Sequence, residues 1–126
     1  MLKECKLIGF VATTNPAKAR QFYEETLGLR FVSGDQFALV FEADGTMLRI
    51  QKVDQVIPRQ YTILGWEVTD IQREVDALST RGVTFARYEG LNQDERGIWT
   101  APGNARIAWF SDPDRNILSL TQFAAP

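Results

Sequence analysis

The sequence contains no histidine and only one cysteine, Cys5, and both shortages exclude familiar kinds of active site. Histidine is the usual general base near neutral pH and the commonest ligand of transition metals. Catalytic triads, Cys-His pairs and histidine-based zinc sites are therefore excluded within one chain. Cys5 has no partner for an intramolecular disulfide, and we interpret it as a small apolar residue at the start of a strand.

Basic stripes and long apolar runs are also missing. The formal net charge is −2, and the 14 Lys and Arg residues are scattered among acids instead of forming a stripe that would neutralise phosphates. No stretch approaches the roughly 20 apolar residues that span a bilayer, and Lys3, Glu4 and Lys6 interrupt the apolar N-terminus. We therefore expect a cytoplasmic protein whose partner is neither nucleic acid nor a membrane.

What remains is a globular composition, with 44% hydrophobic and 24% charged residues in a chain of 126. That length fits one compact domain with a packed core and is too short for two full-sized domains. We therefore predict a single domain over residues 1–126, so that any duplication must lie inside it.

The first half of the chain predicts a strand, a helix and three further strands. Residues 7–12 are typical of a strand, and Asn15-Pro16 supplies a helix N-cap followed by proline at the first helical position. An amphipathic helix then runs to Gly28, which suits a helix end because it tolerates positive φ. Turn residues separate three β-prone runs, at 30–32, 37–42 and 47–52. This order defines a βαβββ module over residues 1–52.

The second half predicts the same order after a linker at 53–60, which has no helical or alternating period. A cap at Thr69 or Asp70 starts its helix, and Gly82 ends it. The strands predicted for this half lie at 61–68, 83–88, 105–110 and 116–122, with a long loop at 89–104. We therefore predict a second βαβββ module over residues 61–126.

The spacing of the two halves indicates a duplication. Ile8 precedes Asn15 by seven residues, and Ile63 precedes Asp70 by seven residues. Two unrelated strand-helix units are the alternative interpretation. The shared order of strand, cap, helix, glycine and three strands favours the duplication.

Several segments, in this order and spacing, carry a resemblance to a known family. They are Asn15-Pro16 to Phe22-Tyr23 with Leu27-Gly28-Leu29, residues 66–71 (WEVTDI), Gly82-Val83 and residues 110–118 (FSDPDRNIL). The chain resembles the glyoxalase, bleomycin-resistance and extradiol-dioxygenase group, the vicinal oxygen chelate superfamily, over nearly its whole length. The resemblance implies an α+β fold of two βαβββ modules, in which curved mixed sheets enclose a cavity and the helices lie outside.

The last of these segments resembles the family's F-x-D-P-D-G-N hairpin and has a physical interpretation of its own. Asp112-Pro113 starts a tight turn, and Asn116 tolerates a positive φ. Arg115 stands where the family usually has glycine, so we expect its side chain to strain the turn.

The resemblance also implies where metal-dependent relatives hold a divalent ion, with two side chains from each module. Those positions carry Ile8, Arg49, Ile63 and Ser119 in this sequence. A divalent cation needs anionic or imidazole donors, whereas these side chains are two aliphatic groups, one cation and one neutral hydroxyl. A shift of one residue in the alignment restores no ligand set. We therefore expect neither a metal ion nor another cofactor.

Strand alternation predicts which side chains line the cavity. The candidate ligand-binding residues are Phe10, Arg49, Gln51, Glu67, Trp99 and Ser119. Arg49 is the sharpest of them, because a guanidinium in a partly apolar pocket can form a two-pronged bond to a carboxylate or phosphate. The structural alternative is an ion pair between Arg49 and Glu67 that ties the two modules together.

Two functional hypotheses follow. The first is a metal-free binding protein, similar to the family's antibiotic-sequestering members, that sequesters a polar or anionic, planar small molecule in the inter-module cavity, within one chain or across a homodimer. The second is a glyoxalase- or dioxygenase-like enzyme, that is, a lyase, isomerase or oxidoreductase with an atypical or metal-independent site. Glu67 or Tyr88 would then be its catalytic acid-base group. The missing metal ligands favour binding over catalysis.

Overall fold

The protein contains two four-stranded sheets, one from each half of the chain. The structure is a computed structural model that describes all 126 residues. Sheet A has the order β1-β4-β3-β2 and consists of β1 (Ile8–Thr13), β2 (Arg30–Gly34), β3 (Ala38–Ala43) and β4 (Thr46–Lys52). Sheet B has the order β5-β8-β7-β6 and consists of β5 (Thr62–Glu67), β6 (Trp99–Thr100), β7 (Arg106–Ser111) and β8 (Ile117–Gln122). In each sheet the first strand pairs in parallel with the last, and the other neighbours are antiparallel. The predicted α+β fold is confirmed.

The two helices begin at the expected caps. The Asn15 side chain accepts a hydrogen bond from the backbone N–H of Lys18, and Asp70 accepts one from Arg73, both at 3.2 Å. The cap of the second helix is thus Asp70 and not Thr69. The helical segments are α1 (Pro16–Arg20), which continues as a wider π-helical turn (Gln21–Thr26), and α2 (Ile71–Thr80). Neither helix has the length and apolar character that crossing a bilayer requires.

One hydrophobic core joins the two halves of the chain. Its buried residues from sheet A and sheet B include Val11, Phe41, Leu48, Ile50, Ala108, Phe110 and Leu118. The ring of Tyr23 contacts Phe41 of sheet A at 6.0 Å between centroids, and the adjacent Phe22 contacts Phe110 of sheet B at 6.4 Å. Because these rings bridge the two sheets, the modules share the apolar burial that stabilises the fold.

The prediction of a strand at 83–88 is wrong. These residues run beside β7, but one backbone hydrogen bond joins them to it, from the Ala86 N–H to the Trp109 oxygen at 2.8 Å. The Gln93 side chain forms hydrogen bonds with other backbone groups of the segment. Its Nε2 donates to the Ala86 oxygen at 2.9 Å, and its Oε1 accepts from the Tyr88 N–H at 2.7 Å. The strand on that side of β7 is β6, which lies inside the predicted loop.

The hairpin between β7 and β8 differs from the prediction at one residue. Arg115, and not Asn116, has the positive φ, at 66°. The expected strain at Arg115 is therefore present as a left-handed backbone that glycine would adopt more readily. Asn116 instead bridges the modules, because its Nδ2 donates to the Ala12 oxygen in β1 at 3.0 Å and to Asp112 at 2.9 Å.

Asp114 ties the same hairpin to the end of β1. Its carboxylate accepts hydrogen bonds from the Thr14 N–H at 2.8 Å, the Thr14 hydroxyl at 2.6 Å and the Thr13 hydroxyl at 2.5 Å. Burial raises the pKa of Asp114, but these hydrogen bonds outweigh it and hold the pKa below its usual range.

We expect Asp114→Asn to lower the free energy of unfolding by about 1 kcal/mol at pH 7, a value discounted for partial exposure. The folded pKa is depressed, so the ionised group stabilises the fold above the unfolded pKa of about 3.9. That contribution is lost as the pH falls through the folded pKa. Urea unfolding at pH 7 and pH 2.5 measures the effect, with the exposed Glu25→Gln as the control. An equal loss at both pH values would contradict this account.

Candidate functional site

One face of sheet A points away from the core. Directly paired residues of neighbouring strands share a face, so the register places Phe10, Arg49 and Val40 in one row across β1, β4 and β3. Leu48 and Ile50 point the other way and are buried in the core. We term this side the open face of sheet A, and it bears Ile8, Phe10, Ala12, Val40, Glu42, Met47, Arg49 and Gln51.

Apolar side chains on this face are widely exposed to solvent. Phe10 is 54% exposed, Ile8 48% and Met47 39%. A cleft of about 320 Å³ lies at one end of the face, between Ile8 and Met47 on one side and the ion pair of Arg30 with Glu42 on the other. Exposed apolar surface next to a few polar groups is typical of a site that another molecule covers.

Arg49 lies near the middle of this face and is half-buried. The predicted ion pair of Arg49 with Glu67 is not formed, because the ion pairs of the chain are Arg20–Glu24, Arg30–Glu42 and those of Arg96 with Asp76 and Glu95. The pKa of Asp35 is lowered first by two backbone N–H groups of its turn and, to a smaller extent, by Arg49. The guanidinium is thus unpaired on a partly apolar face.

Sheet B has a corresponding open face. Ser119 lies between Gly65 and Trp109 in the strand register, and Thr121 lies between Glu67 and Ile107. The open face of sheet B bears Gly65, Glu67, Trp99, Ile107, Trp109, Ser119 and Thr121. The indole Nε1 of Trp109 donates to the Thr62 hydroxyl at 3.1 Å, which fixes the orientation of that ring.

Three aromatic rings form a wall on this face. Trp109 contacts Tyr88 edge-on at 5.5 Å between centroids and contacts Trp99 at 6.1 Å with an interplanar angle of 31°. We term Tyr88, Trp99 and Trp109 the aromatic wall. Sequence reasoning named Tyr88 and Trp99 but missed Trp109. Strand alternation in β7 could have identified Trp109, because Ala108 and Phe110 are buried in the core and Trp109 must point the opposite way.

Ser119 of β8 pairs directly with Trp109 of the aromatic wall. The residue is 8% exposed, and its hydroxyl has no hydrogen-bond partner in the chain and keeps contact with solvent. A Cβ added to Gly65 would lie 2.6 Å from the Ser119 Oγ, so the Ser119 hydroxyl occupies the space that the missing side chain of Gly65 leaves. A nearly buried hydroxyl without a partner is unusual, and it presents a donor and an acceptor to a ligand.

Comparison with known proteins places this architecture in a family. The family model described as "Glyoxalase/Bleomycin resistance protein/Dioxygenase superfamily" matches residues 7–120. The chain belongs to this superfamily. No curated protein was found to match the sequence.

Several solved structures share the fold. A member from Sphaerobacter thermophilus is 24% identical with a TM-score of 0.75, and the match covers 97% of this chain and 99% of that one. TnmS3, an antibiotic-binding protein from Streptomyces, is 21% identical with a TM-score of 0.69 and coverage of 98% and 99%. Lactoylglutathione lyase from Agrobacterium tumefaciens is 16% identical with a TM-score of 0.69 and coverage of 94% and 93%. At these identities the likeness shows the fold alone.

The metal positions implied by the superfamily lie on β1, β4, β5 and β8. Arg49 pairs with Phe10 in the first module, and Ser119 pairs with Gly65 in the second, so the two residues occupy equivalent places. No three His, Cys, Asp or Glu side chains converge anywhere in the chain. Together with Ile8 and Ile63, a guanidinium and a hydroxyl do not fit a divalent cation, which needs anionic or imidazole donors.

The remaining candidates, Gln51 and Glu67, lie on different sheets. Gln51 is exposed on sheet A near Arg49, whereas Glu67 lines cavities beside Leu29 and Trp66, where the edges of β1 and β5 meet. The cleft on sheet A contains no residue of sheet B. Arg49 lies on the open face of sheet A, and the aromatic wall lies on the open face of sheet B.

Proposed function

We propose that this superfamily member is a metal-free binding protein that holds a planar, polar or anionic small molecule on its open faces. The observation that carries the proposal is the aromatic wall beside the unpartnered Ser119 hydroxyl, at a position where metal-dependent relatives place a ligand of the ion. A flat ring can stack on Trp109 while a polar atom of the ligand bonds to Ser119. TnmS3, an antibiotic-binding protein with the same fold, supports a binding role.

Arg49 gives the proposed ligand its charge preference. An unpaired guanidinium on an apolar face forms a short, two-pronged bond to a carboxylate, which is stronger than a bond between neutral groups. Phe10, its direct cross-strand neighbour, offers apolar surface beside the charge. The combination suits a planar acid better than an aliphatic or cationic molecule.

A second copy of the chain closes the groove in this proposal. Phe10 and Ile8 leave much of sheet A apolar and exposed, and Tyr61 and Phe123 are more than 60% exposed at the ends of sheet B. In a twofold symmetric dimer, the open face of sheet A on one protomer can meet the open face of sheet B on its partner. Arg49 and the aromatic wall would then line one groove.

Metal analysis of the purified protein tests the first part of the proposal. We expect far less than one divalent ion per chain and unchanged ligand binding after dialysis against a chelator. A stoichiometric ion whose removal abolishes binding would overturn the metal-free assignment.

Arg49→Met tests whether Arg49 binds the carboxylate of the proposed ligand. We expect planar aromatic carboxylates found by thermal-shift screening to bind about 10- to 100-fold more weakly to this variant, and their carboxamides to change little. Lys52→Met, which removes an exposed cation at the end of the same strand, is the matched control. Unchanged carboxylate affinity would refute this role of Arg49. A new product in NMR spectra of the incubated ligand would instead favour the enzymatic alternative, with Glu67 or Tyr88 as the acid-base group.

A further inference from the structure

Two cavities apart from the cleft on sheet A lie at the seam between the two modules. They have volumes of about 280 and 170 Å³, and they adjoin each other because Leu29, Trp66 and Glu67 line both. The larger cavity reaches the hairpin between β3 and β4, and the smaller one reaches α2 at Leu78. We term the two together the seam crevice.

The walls of the seam crevice are mostly apolar. Leucines from both modules, Leu27 and Leu29 from the first and Leu64 and Leu120 from the second, line it together with Trp66. The Trp66 ring stacks on Phe110 at 6.5 Å and stays partly exposed towards the crevice. Walls of this kind accommodate the hydrocarbon or aromatic body of a small molecule.

The charged residues that line the seam crevice are all acidic. They are Asp44, Glu67 and Glu74, and no Lys or Arg lines either cavity. None of the three carboxylates belongs to an ion pair of the chain. Low-dielectric walls focus an unneutralised negative field within a cleft, so the crevice favours a cation.

The arrangement also distinguishes between kinds of cation. A metal ion needs several donors that converge at about 2 to 2.6 Å, and these carboxylates form no converging group. An organic cation spreads its charge over a larger volume and gains from the face of an indole ring as well as from carboxylates. Its apolar body can fill the space between the leucines.

We propose that the seam crevice binds an organic cation, a primary or quaternary ammonium group attached to an apolar or aromatic body. Trp66 and Glu67 contact the charged group, since they line both cavities. The seam crevice shares Met47, Gly65 and Glu67 with the edges of the two open faces, but neither Arg49 nor any residue of the aromatic wall lines it, and it selects the opposite charge. Either site can exist without the other.

An NMR titration tests the location of binding. The chain has three tryptophans, so the indole N–H signals of Trp66, Trp99 and Trp109 report separately on the seam crevice and on the aromatic wall. Benzyltrimethylammonium is expected to shift the Trp66 signal, which the Trp66→Phe variant identifies, and to leave the other two in place. Shifts confined to Trp99 and Trp109 would overturn the proposal, as would the absence of any shift at millimolar probe.

Two variants test the charge preference. Glu67→Gln and Glu74→Gln are each expected to weaken the binding of benzyltrimethylammonium about threefold to fivefold, and the double variant about tenfold, because partly exposed carboxylates are screened by solvent. Benzyl alcohol and benzoate are the neutral and anionic counterparts, and both should shift Trp66 far less. Glu25→Gln, an exposed acid on the first helix, should change nothing. Equal affinity of the double variant, or equal binding of benzoate, would overturn the proposal and leave the carboxylate groove at Arg49 untouched.

Discussion

Asp112→Ala is expected to lower the free energy of unfolding by about 3 to 5 kcal/mol, because it removes the acceptor at the centre of a buried hydrogen-bond network. The Asp112 carboxylate accepts from the Tyr23 hydroxyl at 2.7 Å and from the Asn116 Nδ2 at 2.9 Å. It also accepts from the backbone N–H groups of Asp114 and Asn116, both at 2.9 Å. Tyr23 and Asn116 are themselves buried, so water cannot fully replace the lost acceptor.

A graded series of variants separates this network from simple packing. Tyr23→Phe removes one hydroxyl donor and keeps the ring contact with Phe41, so we expect a loss of about 1 kcal/mol. Asp112→Asn should fall between the two, because its amide nitrogen faces donors where a carboxylate oxygen accepted. Urea unfolding measures all three. If Asp112→Ala costs no more than Tyr23→Phe, the network does not join the modules as described.

Asp112 and Asp114 should respond to pH in opposite directions. Burial raises the pKa of Asp112, and its four hydrogen-bond donors offset this only in part. Its ionisation therefore costs stability as the pH rises from the unfolded pKa through the folded one. Burial, followed by the charge of Asp112, also raises the pKa of Tyr23, which keeps this hydroxyl a donor. In acid, therefore, two carboxyl groups of one hairpin change the free energy of unfolding in opposite directions.

The elements that sequence reasoning predicted correctly are those specified by neighbouring residues. Asn15 and Asp70 cap helices through bonds that span three residues, and Gly28 and Gly82 end them with φ values of 75° and 96°. Such local geometry depends on residue type and spacing alone. For this reason both helices and their ends could be predicted without knowledge of the tertiary structure.

The failures depend on contacts that no local pattern encodes. Residues 83–88 have a strand-like composition, but the Gln93 side chain occupies backbone groups at Ala86 and Tyr88 that a partner strand would need. In the hairpin, the positive φ belongs to Arg115, where the family pattern has glycine, and Asn116 instead bonds to the Ala12 oxygen of the other module. In both cases a side chain bonds to backbone groups outside its own segment, which the local pattern does not encode.

The candidate site shows the same difference between features that local patterns predict and features that depend on tertiary contacts. Alternation along β1 correctly separated Phe10 on the open face from Val11 in the core, because a strand has a period of two. The relation between Arg49 and Glu67 could not be predicted in this way, since it depends on how the edges of β1 and β5 meet. The ion pair given as the structural alternative for Arg49 is not formed for that reason, and Glu67 lies at the seam instead.

Phe10→Ser is expected to weaken the proposed dimer about 30-fold or more, because truncating an aromatic side chain at the centre of an interface typically costs about 2 kcal/mol or more. Phe10 is 54% exposed in the single chain, so its removal should leave the fold and the thermal midpoint of dilute protein nearly unchanged. Phe37→Ser, which removes a ring that is 67% exposed just before β3, is the matched control. Light scattering after size exclusion distinguishes the 14.3 kDa chain from a species of twice that mass.

Phe10→Ser should also weaken ligand binding, since the proposed groove is formed by Arg49 of one protomer and the aromatic wall of its partner. Mass action then couples dimerisation to ligand binding, so a bound carboxylate should shift the Phe10→Ser variant back towards the dimer. If the unaltered chain stays monomeric at the highest soluble concentration and still binds the carboxylate, the shared groove is wrong. Each ligand would then lie on one open face of one chain, and Arg49→Met and Trp109→Ala would affect different ligands instead of the same one.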